Sequence, residues 1–264
     1  MSIFTPPGGR VNRDFGACRD NAAVSEVAAT PIPRRGRLWV VLALALALGA
    51  LAYSLFEIST NEAGREVVRV EGIGPMQATF GGVRQDGDRL GSPDAPVSIQ
   101  VFNDLQCGTC APAFLGTIPA LVESRVRSGE VKLLMRHYSF ARNPLEAGFF
   151  PAEAAADQAY GWHYTYLFFR NQDEAERFGV SDKLVDSLAA SIEELDIVEW
   201  RDYLDRESGE DGAITTTLEG YEELGTDLGI RAEPAAIVSG PGGTRVLQDT
   251  PSLARVEWAI EAVR

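Results

Sequence analysis

The chain is poor in the residues that build metal centres. Its 264 residues include only 2 histidines and 3 cysteines, whereas a closed zinc site draws four ligands mainly from those two types. There is no internal repeat and no low-complexity block, which excludes a solenoid or a repeat array. Positive charge is scarce as well: 24 Lys and Arg stand against 38 Asp and Glu, a formal net charge of −14. Six of those arginines fall in residues 1–56 beside three acids, so the remainder holds 18 basic against 35 acidic residues, about −17. Such a body repels phosphate backbones, and a nucleic-acid partner is excluded. What is present is an apolar content of 45%, enough at this length for one sizeable core without disulfides to staple it.

Long apolar runs are limited to one, residues 38–56, "LWVVLALALALGALAYSLF", which carries no charge. At 1.5 Å per residue it approaches the ~30 Å of bilayer hydrocarbon. It reads as a single transmembrane helix. Arg34, Arg35 and Arg37 precede it and Glu57 follows it, so the positive-inside bias places residues 1–37 in the cytoplasm and the body beyond the plasma membrane. A cleaved export signal is the rival reading, because Ala50-Leu51-Ala52 offers a small-x-small site and Arg34-Arg35 a twin-arginine start. The long lead before the apolar core favours an uncleaved anchor, and both readings export the body. Outside the cytosol no glutathione pool keeps thiols reduced, so paired cysteines there belong to structural disulfides or to the machinery that makes them. Cys18 falls on the cytoplasmic side, in a tail expected to be disordered, and is no partner for the other two.

Residues 57–75 read as a tether with a short strand in "REVVRV", and residues 76–264 as the folded domain. After the turn "GSPDAP", the alternating run "VSIQVFN" at 97–103 is a strand that ends at Cys107-Gly108-Thr109-Cys110. Residues 110–128 carry Phe114, Leu115, Ile118, Leu121, Val122 and Val126 at helical spacing and stop at Gly129. Residues 131–138, "VKLLMRHY", make a second strand. A strand, a C-x-x-C pair, a helix and a strand in succession form the opening βαβ of a thioredoxin-type fold. Helical patterns then run from about 144 to 228, with Ser181, Asp182 and Asp196 as helix starts. β character returns in "AAIVS" and "TRVLQ" around the turn "GPGG", and an amphipathic helix over 252–263 closes the chain.

With "LGSPDAPVSIQVFNDLQCGTC", "GWHYTYLFFRNQ" and "GIRAEPAAIVSG" in view, the exported part resembles the DsbA family of thioredoxin-fold thiol:disulfide oxidoreductases. The likeness runs from about Leu90 to the C-terminus. It implies an α/β thioredoxin fold with an inserted helical subdomain, here preceded by the single transmembrane helix. It also implies a cis proline facing the cysteine pair, which Pro234 supplies, with the backbone before it at Glu233 pairing with an extended substrate peptide. Two departures matter. The family usually has proline, often with histidine, inside C-x-x-C where this chain has Gly108-Thr109, and commonly Thr or Val where it has Glu233.

A dithiol oxidoreductase needs one thiolate open to exchange and a second thiol near enough to resolve the mixed disulfide. Cys107, between strand and helix, suits the first role, and the helix start favours its thiolate. Cys110, one turn on, suits the second. Zinc lacks ligands at a workable spacing, since His137 and His163 stand far from the pair in sequence, and haem attachment requires a histidine where Ala111 stands. No metal or cofactor is expected. Glu233 beside the pair works against thiolate formation, and Gly108-Thr109 adds no positive or pre-organising group, so a weaker oxidant than the strongest family members is expected. Asp104 is a candidate proton relay or loop-ordering residue. His163 reads as a packed helix residue, and Tyr160, Trp162, Tyr164, Tyr166, Phe168 and Phe169 divide between core and a peptide-binding face. The expected activity is disulfide exchange on exported client proteins, most simply as an oxidant. A membrane redox partner, a quinone-linked oxidase or a reductant donor, would renew the pair. A reductase or isomerase, and a non-catalytic thioredoxin-fold module that binds a peptide or partner, remain as alternatives.

Overall fold

The computed structural model describes residues 44–51, 68–139 and 148–264. The chain divides into two units, Met1–Glu62 and Ala63–Arg264. In the first, residues 44–51 form helix α1, with Leu44, Leu46, Leu48 and Leu51 exposed. Among the described residues no helix is long and apolar enough to cross a membrane. The rest of the expected span, at 38–43 and 52–56, lies outside the described residues, as do the tail with Cys18 and the tether up to residue 67.

The second unit is built on six strands in the order β1-β2-β4-β3-β5-β6. Strand β3 (Val97–Asn103) runs parallel to β4 (Val131–His137) and antiparallel to β5 (Ala235–Gly240), and β6 (Gly243–Leu247) follows β5 as a hairpin. A small hairpin of β1 (Gln85–Asp86) and β2 (Arg89–Leu90) extends the far edge along β4. Strand β4 alternates buried and half-buried residues along its length, the period of a strand whose two faces meet different surroundings. Val97, Ile99, Leu133, Met135 and Val238 join the main core, shared with helices α3 (Cys110–Leu121) and α10 (Leu253–Val263). On the opposite face Phe102, Ala235 and Ile237 pack with Tyr138, Ile230 and Leu224.

Between the two βαβ and ββα halves lie helices α4 (Phe149–Asp157), α5 (Gly161–Arg170), α6 (Gln172–Phe178), α7 (Asp182–Ala190), α8 (Ile197–Glu207) and α9 (Ala213–Asp227). Ser181 accepts from the Leu184 amide, Asp196 from the Val198 and Glu199 amides, and Ser252 from the Arg255 amide, each meeting a backbone donor that the first helical turn leaves open. Helix α9 approaches Tyr138 closely: a Cβ on Gly225 would stand 2.7 Å from the Tyr138 ring. The aromatic set of α5 is core, not a binding face. Trp162 and Tyr164 are fully buried, Tyr166, Phe168 and Phe169 nearly so, and only Tyr160 is half-exposed. Phe114 stacks on Trp162 at 6.0 Å and tilts against Phe169 at 5.0 Å, which locks α3 to α5.

Three local expectations are corrected. Residues 68–70 of "REVVRV" form no strand. They pack instead, the Val68 amide donating to Ser187 Oγ at 3.1 Å and the Glu71 amide to Asn171 Oδ1 at 2.9 Å. The packed body therefore begins upstream of Met76, and helix α2 (Ile73–Phe80) occupies what reads as the end of the tether. The long helix after Cys110 ends at Leu121, and a π-turn (Val122–Val126) takes over three residues beyond Pro119, whose ring nitrogen has no hydrogen to donate back to Leu115.

His163 is buried in α5, and the Gln85 side-chain amide donates to its Nδ1 at 2.8 Å. Burial pushes its pKa down to about 4, with Glu194 opposing. The folded value thus lies below the unfolded ~6.5, so the unfolded chain binds the proton more tightly and stability falls as pH drops from 6.5 towards 4. His163→Gln keeps an acceptor for Gln85 and removes the titration. Urea unfolding at pH 7 and pH 4 should show the variant losing less stability on acidification than the wild type, by roughly 3 kcal/mol at most.

Candidate functional site

The register of β3 against β5 assembles the site. Phe102 pairs with Ala235, so the end of β3 and the start of β5 meet side by side, and the residues just past each end, 104–110 and 233–234, become neighbours. The Glu233–Pro234 bond is cis. The Glu233 carbonyl oxygen lies 3.9 Å from Cys107 Sγ. Cys107, Cys110, Glu233 and Pro234, scattered in sequence, are thus brought to one end of the sheet.

Helix α3 begins at Cys110, so Cys107 occupies the turn before the helix and not its first position. That turn is tightly bonded. The Cys107 amide donates to Asp104 O at 3.1 Å and the Cys110 amide to Cys107 O at 3.0 Å. Asp104, 2% exposed, uses both carboxylate oxygens: Oδ1 accepts from the Gln106 amide at 2.8 Å, and Oδ2 accepts from Ser139 Oγ at 2.9 Å. It orders the loop. The Gln172 side chain reaches in from α6, its Nε2 donating to Leu105 O at 2.7 Å and to Cys107 O at 3.1 Å.

Both cysteines are free and their surroundings differ. Cys107 is half-exposed, with Thr109 Oγ1 at 3.1 Å from its sulfur. When that sulfur is a thiolate it can only accept, so the hydroxyl donates. Gly108-Thr109 therefore does supply a polar group to the pair. Cys110 is fully buried, and burial pushes its thiol pKa strongly up. Its contact with Cys107 and the Cys107 and Glu233 charges push the same way, and only a hydrogen bond to the Asp104 backbone opposes them. The arrangement offers one accessible sulfur and one sulfur kept as a neutral thiol beneath it. Beside them runs a narrow, largely apolar cleft of about 40 Å³ lined by Cys110, Phe114, Pro234, Ala236 and Val256 among others. His137 takes no part in this group. Its Nδ1 lies 2.6 Å from Glu153 Oε1 and its Nε2 3.1 Å from Thr165 Oγ1, within the helical subdomain's packing.

Sequence reasoning missed Thr109, Ser139 and Gln172. Ser139 and Gln172 act on the turn from 35 and 67 residues away, and polar side chains at such distances leave no local signature. The threonine was legible only as a departure from the family pattern.

The family profile described as Thioredoxin matches residues 85–240. Two curated relatives, each a "Probable disulfide bond formation protein D", come from Bacillus cereus and Bacillus anthracis. They are 23% and 24% identical over 115 residues, which is 42% of this chain and 53% of theirs. The chain thus spans about half the length of the curated relatives it matches. Among solved structures, oxidised BdbD from Bacillus subtilis superposes with a TM-score of 0.55 at 21% identity, covering 68% of this chain and 95% of that one. The α-DsbA1 of Wolbachia pipientis gives 0.53 at 17%, covering 67% and 89%, and Chlamydia trachomatis DsbA gives 0.53 at 18%, covering 66% and 89%. At these identities the common property is the fold.

Asp104 can be tested as a loop-ordering residue against a proton relay. Asp104→Ala leaves the Gln106 amide and Ser139 hydroxyl without their acceptor and should cost about 1–3 kcal/mol in chemical denaturation. Asp104→Asn keeps an acceptor for the amide and lets the Ser139 hydroxyl reverse its role, so its loss should stay under about 1 kcal/mol. A relay role predicts instead that Asn, unable to titrate, disturbs the reactivity of Cys110 as much as Ala does.

Proposed function

The chain belongs to the thioredoxin family, and from that premise we propose that it is a thiol:disulfide oxidoreductase in which Cys107 exchanges with the substrate and Cys110 resolves. The observation that carries this reading is the unequal pair: a half-exposed Cys107 beside the Glu233 carbonyl, above a fully buried Cys110. Structural disulfides need no such accessible sulfur. Acting as an oxidant, the protein starts with Cys107 and Cys110 disulfide-bonded. A substrate thiolate attacks Cys107 Sγ, the bond between the cysteines breaks, and Cys110 departs and takes up a proton. A second substrate thiolate then attacks the substrate sulfur of the mixed disulfide and releases Cys107. Two substrate thiols have lost two electrons and two protons, and the cysteine pair has gained them. The reverse sequence describes a reductase.

The substrate chain would lie extended along the backbone at Glu233, in the segment ahead of β5, whose own edges are taken by β3 and β6, with the apolar cleft beside Pro234 and Phe114 next to it. Names among the relatives that speak of disulfide bond formation support oxidation as the working direction. The apolar run at 38–56 supports an exported body held at the membrane. A domain so held gains effective concentration towards another membrane protein, which makes a membrane oxidant the fitting source of renewal.

Three outcomes check this reading. Thiol trapping of the exported part should show two thiols appearing and disappearing together, and Cys107→Ser should abolish exchange; retention of normal exchange by that variant would overturn the assignment of the nucleophile. Thr109→Val removes the hydroxyl that favours the reduced form, so its equilibrium with glutathione should move towards the disulfide by roughly tenfold, a potential lower by about 30 mV. In cells, a version freed of the anchor but starting at Ala63, which keeps the packed residues from Val68 onward, should accumulate as the dithiol. Equal recycling of anchored and freed forms at equal abundance would show that the membrane contributes only retention.

A further inference from the structure

A side chain of the helical subdomain, Gln172, holds the turn that carries the two cysteines. Gln172, the first residue of α6, is 7% exposed. Its Nε2 donates to Leu105 O at 2.7 Å and to Cys107 O at 3.1 Å, so one amide group spends both of its hydrogens on carbonyls two residues apart. The same Cys107 carbonyl accepts the Cys110 amide at 3.0 Å. Leu105, whose side chain is fully buried in the main core, anchors the turn as well. Next to Gln172, Asn171 performs a similar task elsewhere. Its Nδ2 donates to Glu71 O at 3.0 Å and Leu167 O at 2.7 Å, and its Oδ1 accepts the Glu71 amide. The break between α5 and α6 thus carries two adjacent carboxamides, one fastening the N-terminal segment of the body and the other the cysteine turn.

We propose that Gln172 is a positioning residue for thiol exchange: by tying the Leu105 and Cys107 carbonyls to the helical subdomain, it holds Cys107 Sγ at the Glu233 backbone where a substrate strand would lie. The proposal rests on the oxidoreductase reading above. Without the donor the Leu105 carbonyl is left buried and unmatched and the Cys107 carbonyl keeps only the Cys110 amide, and the turn must move to reach water, carrying the sulfur off the line of attack. No charge is needed for this task, which suits a carboxamide. A carboxylate at the same place would repel both oxygens, while a protonated carboxyl could still donate to one of them.

That difference supplies the test. Exchange with a model peptide disulfide is followed from pH 5 to pH 9 for the full chain and for Gln172→Met and Gln172→Glu, well below the thermal midpoint of each. Gln172→Met, similar in shape but without a donor, should be slowed roughly tenfold at every pH. Gln172→Glu should be slowed as much at the alkaline end and recover to within about threefold of wild type at the acidic end, as its carboxyl protonates and donates again. Exchange rises with pH in the wild type because the thiolate is the nucleophile, so the ratio of variant to wild type climbs as pH falls and isolates the clamp from the thiol chemistry. Rates within twofold of wild type for both variants overturn the proposal. So does a Glu variant that tracks Met at every pH, which would assign the loss to altered packing. Wild-type protein that exchanges no disulfide at all sinks the oxidoreductase reading itself and the clamp with it, a failure seen in the unmutated control alone.

Discussion

The site depends on one pairing, β3 against β5. Because Phe102 lies opposite Ala235, the chain leaving β3 and the chain entering β5 are neighbours without any contact between their side chains being required. Register in a sheet has a period of two residues, and a slip of one would exchange the buried and exposed faces of the whole strand. Ile99 and Val238 face the α3 and α10 core, while Phe102 and Ile237 face Tyr138. Hydrophobic burial on two faces therefore holds the register. The approach of Cys107 Sγ to the Glu233 carbonyl thus depends on the packing of the two strands.

The helical subdomain adds a second constraint from outside the sheet. Phe114 of α3 is packed against Trp162 and Phe169 of α5, so the helix that begins with Cys110 is seated on the insertion as well as on the sheet. Trp162 also donates its indole hydrogen to Asp88 O at 2.9 Å, joining the insertion to the β1–β2 edge. The insertion is accordingly part of the body's core and not an appendage. Movement within it would be felt at the cysteine turn through α3 and through Gln172.

Strand β3 could be read to its last residue because "VSIQVFN" alternates strongly and ends at turn-forming Asp104. The capped helices were equally legible, since Ser181, Asp196 and Ser252 carry short oxygen acceptors ahead of apolar periods. Strands β1 and β2 were not, because two residues cannot display a period. Helix α2, "IGPMQATF", begins with Gly74 and Pro75 inside its first turn, residues that read as loop, and its position is set by burying Met76 and Phe80. The separation of α4, α5 and α6 was hidden by continuous helical composition. Ala159 adopts φ 67 between α4 and α5, a conformation no local rule assigns to alanine. At the site, the cysteine pair and Pro234 stood out by type and spacing, while their supporting shell, formed across tertiary distance, did not.

The two sulfurs hang from one short turn, so position and not residue type decides which of them a partner meets. Cys107 is reachable and Cys110 is not. For Cys110 to act, its proton must leave a site where burial is the largest obstacle and the contact and charge of Cys107 add to it. Once Cys107 is bonded to a substrate sulfur it carries no charge, and that part of the obstacle disappears. Under the proposed exchange, the buried thiol is therefore easier to ionise with a partner attached than without one. The resolving step is favoured by the event that makes it necessary, and the resting dithiol keeps its second sulfur protonated.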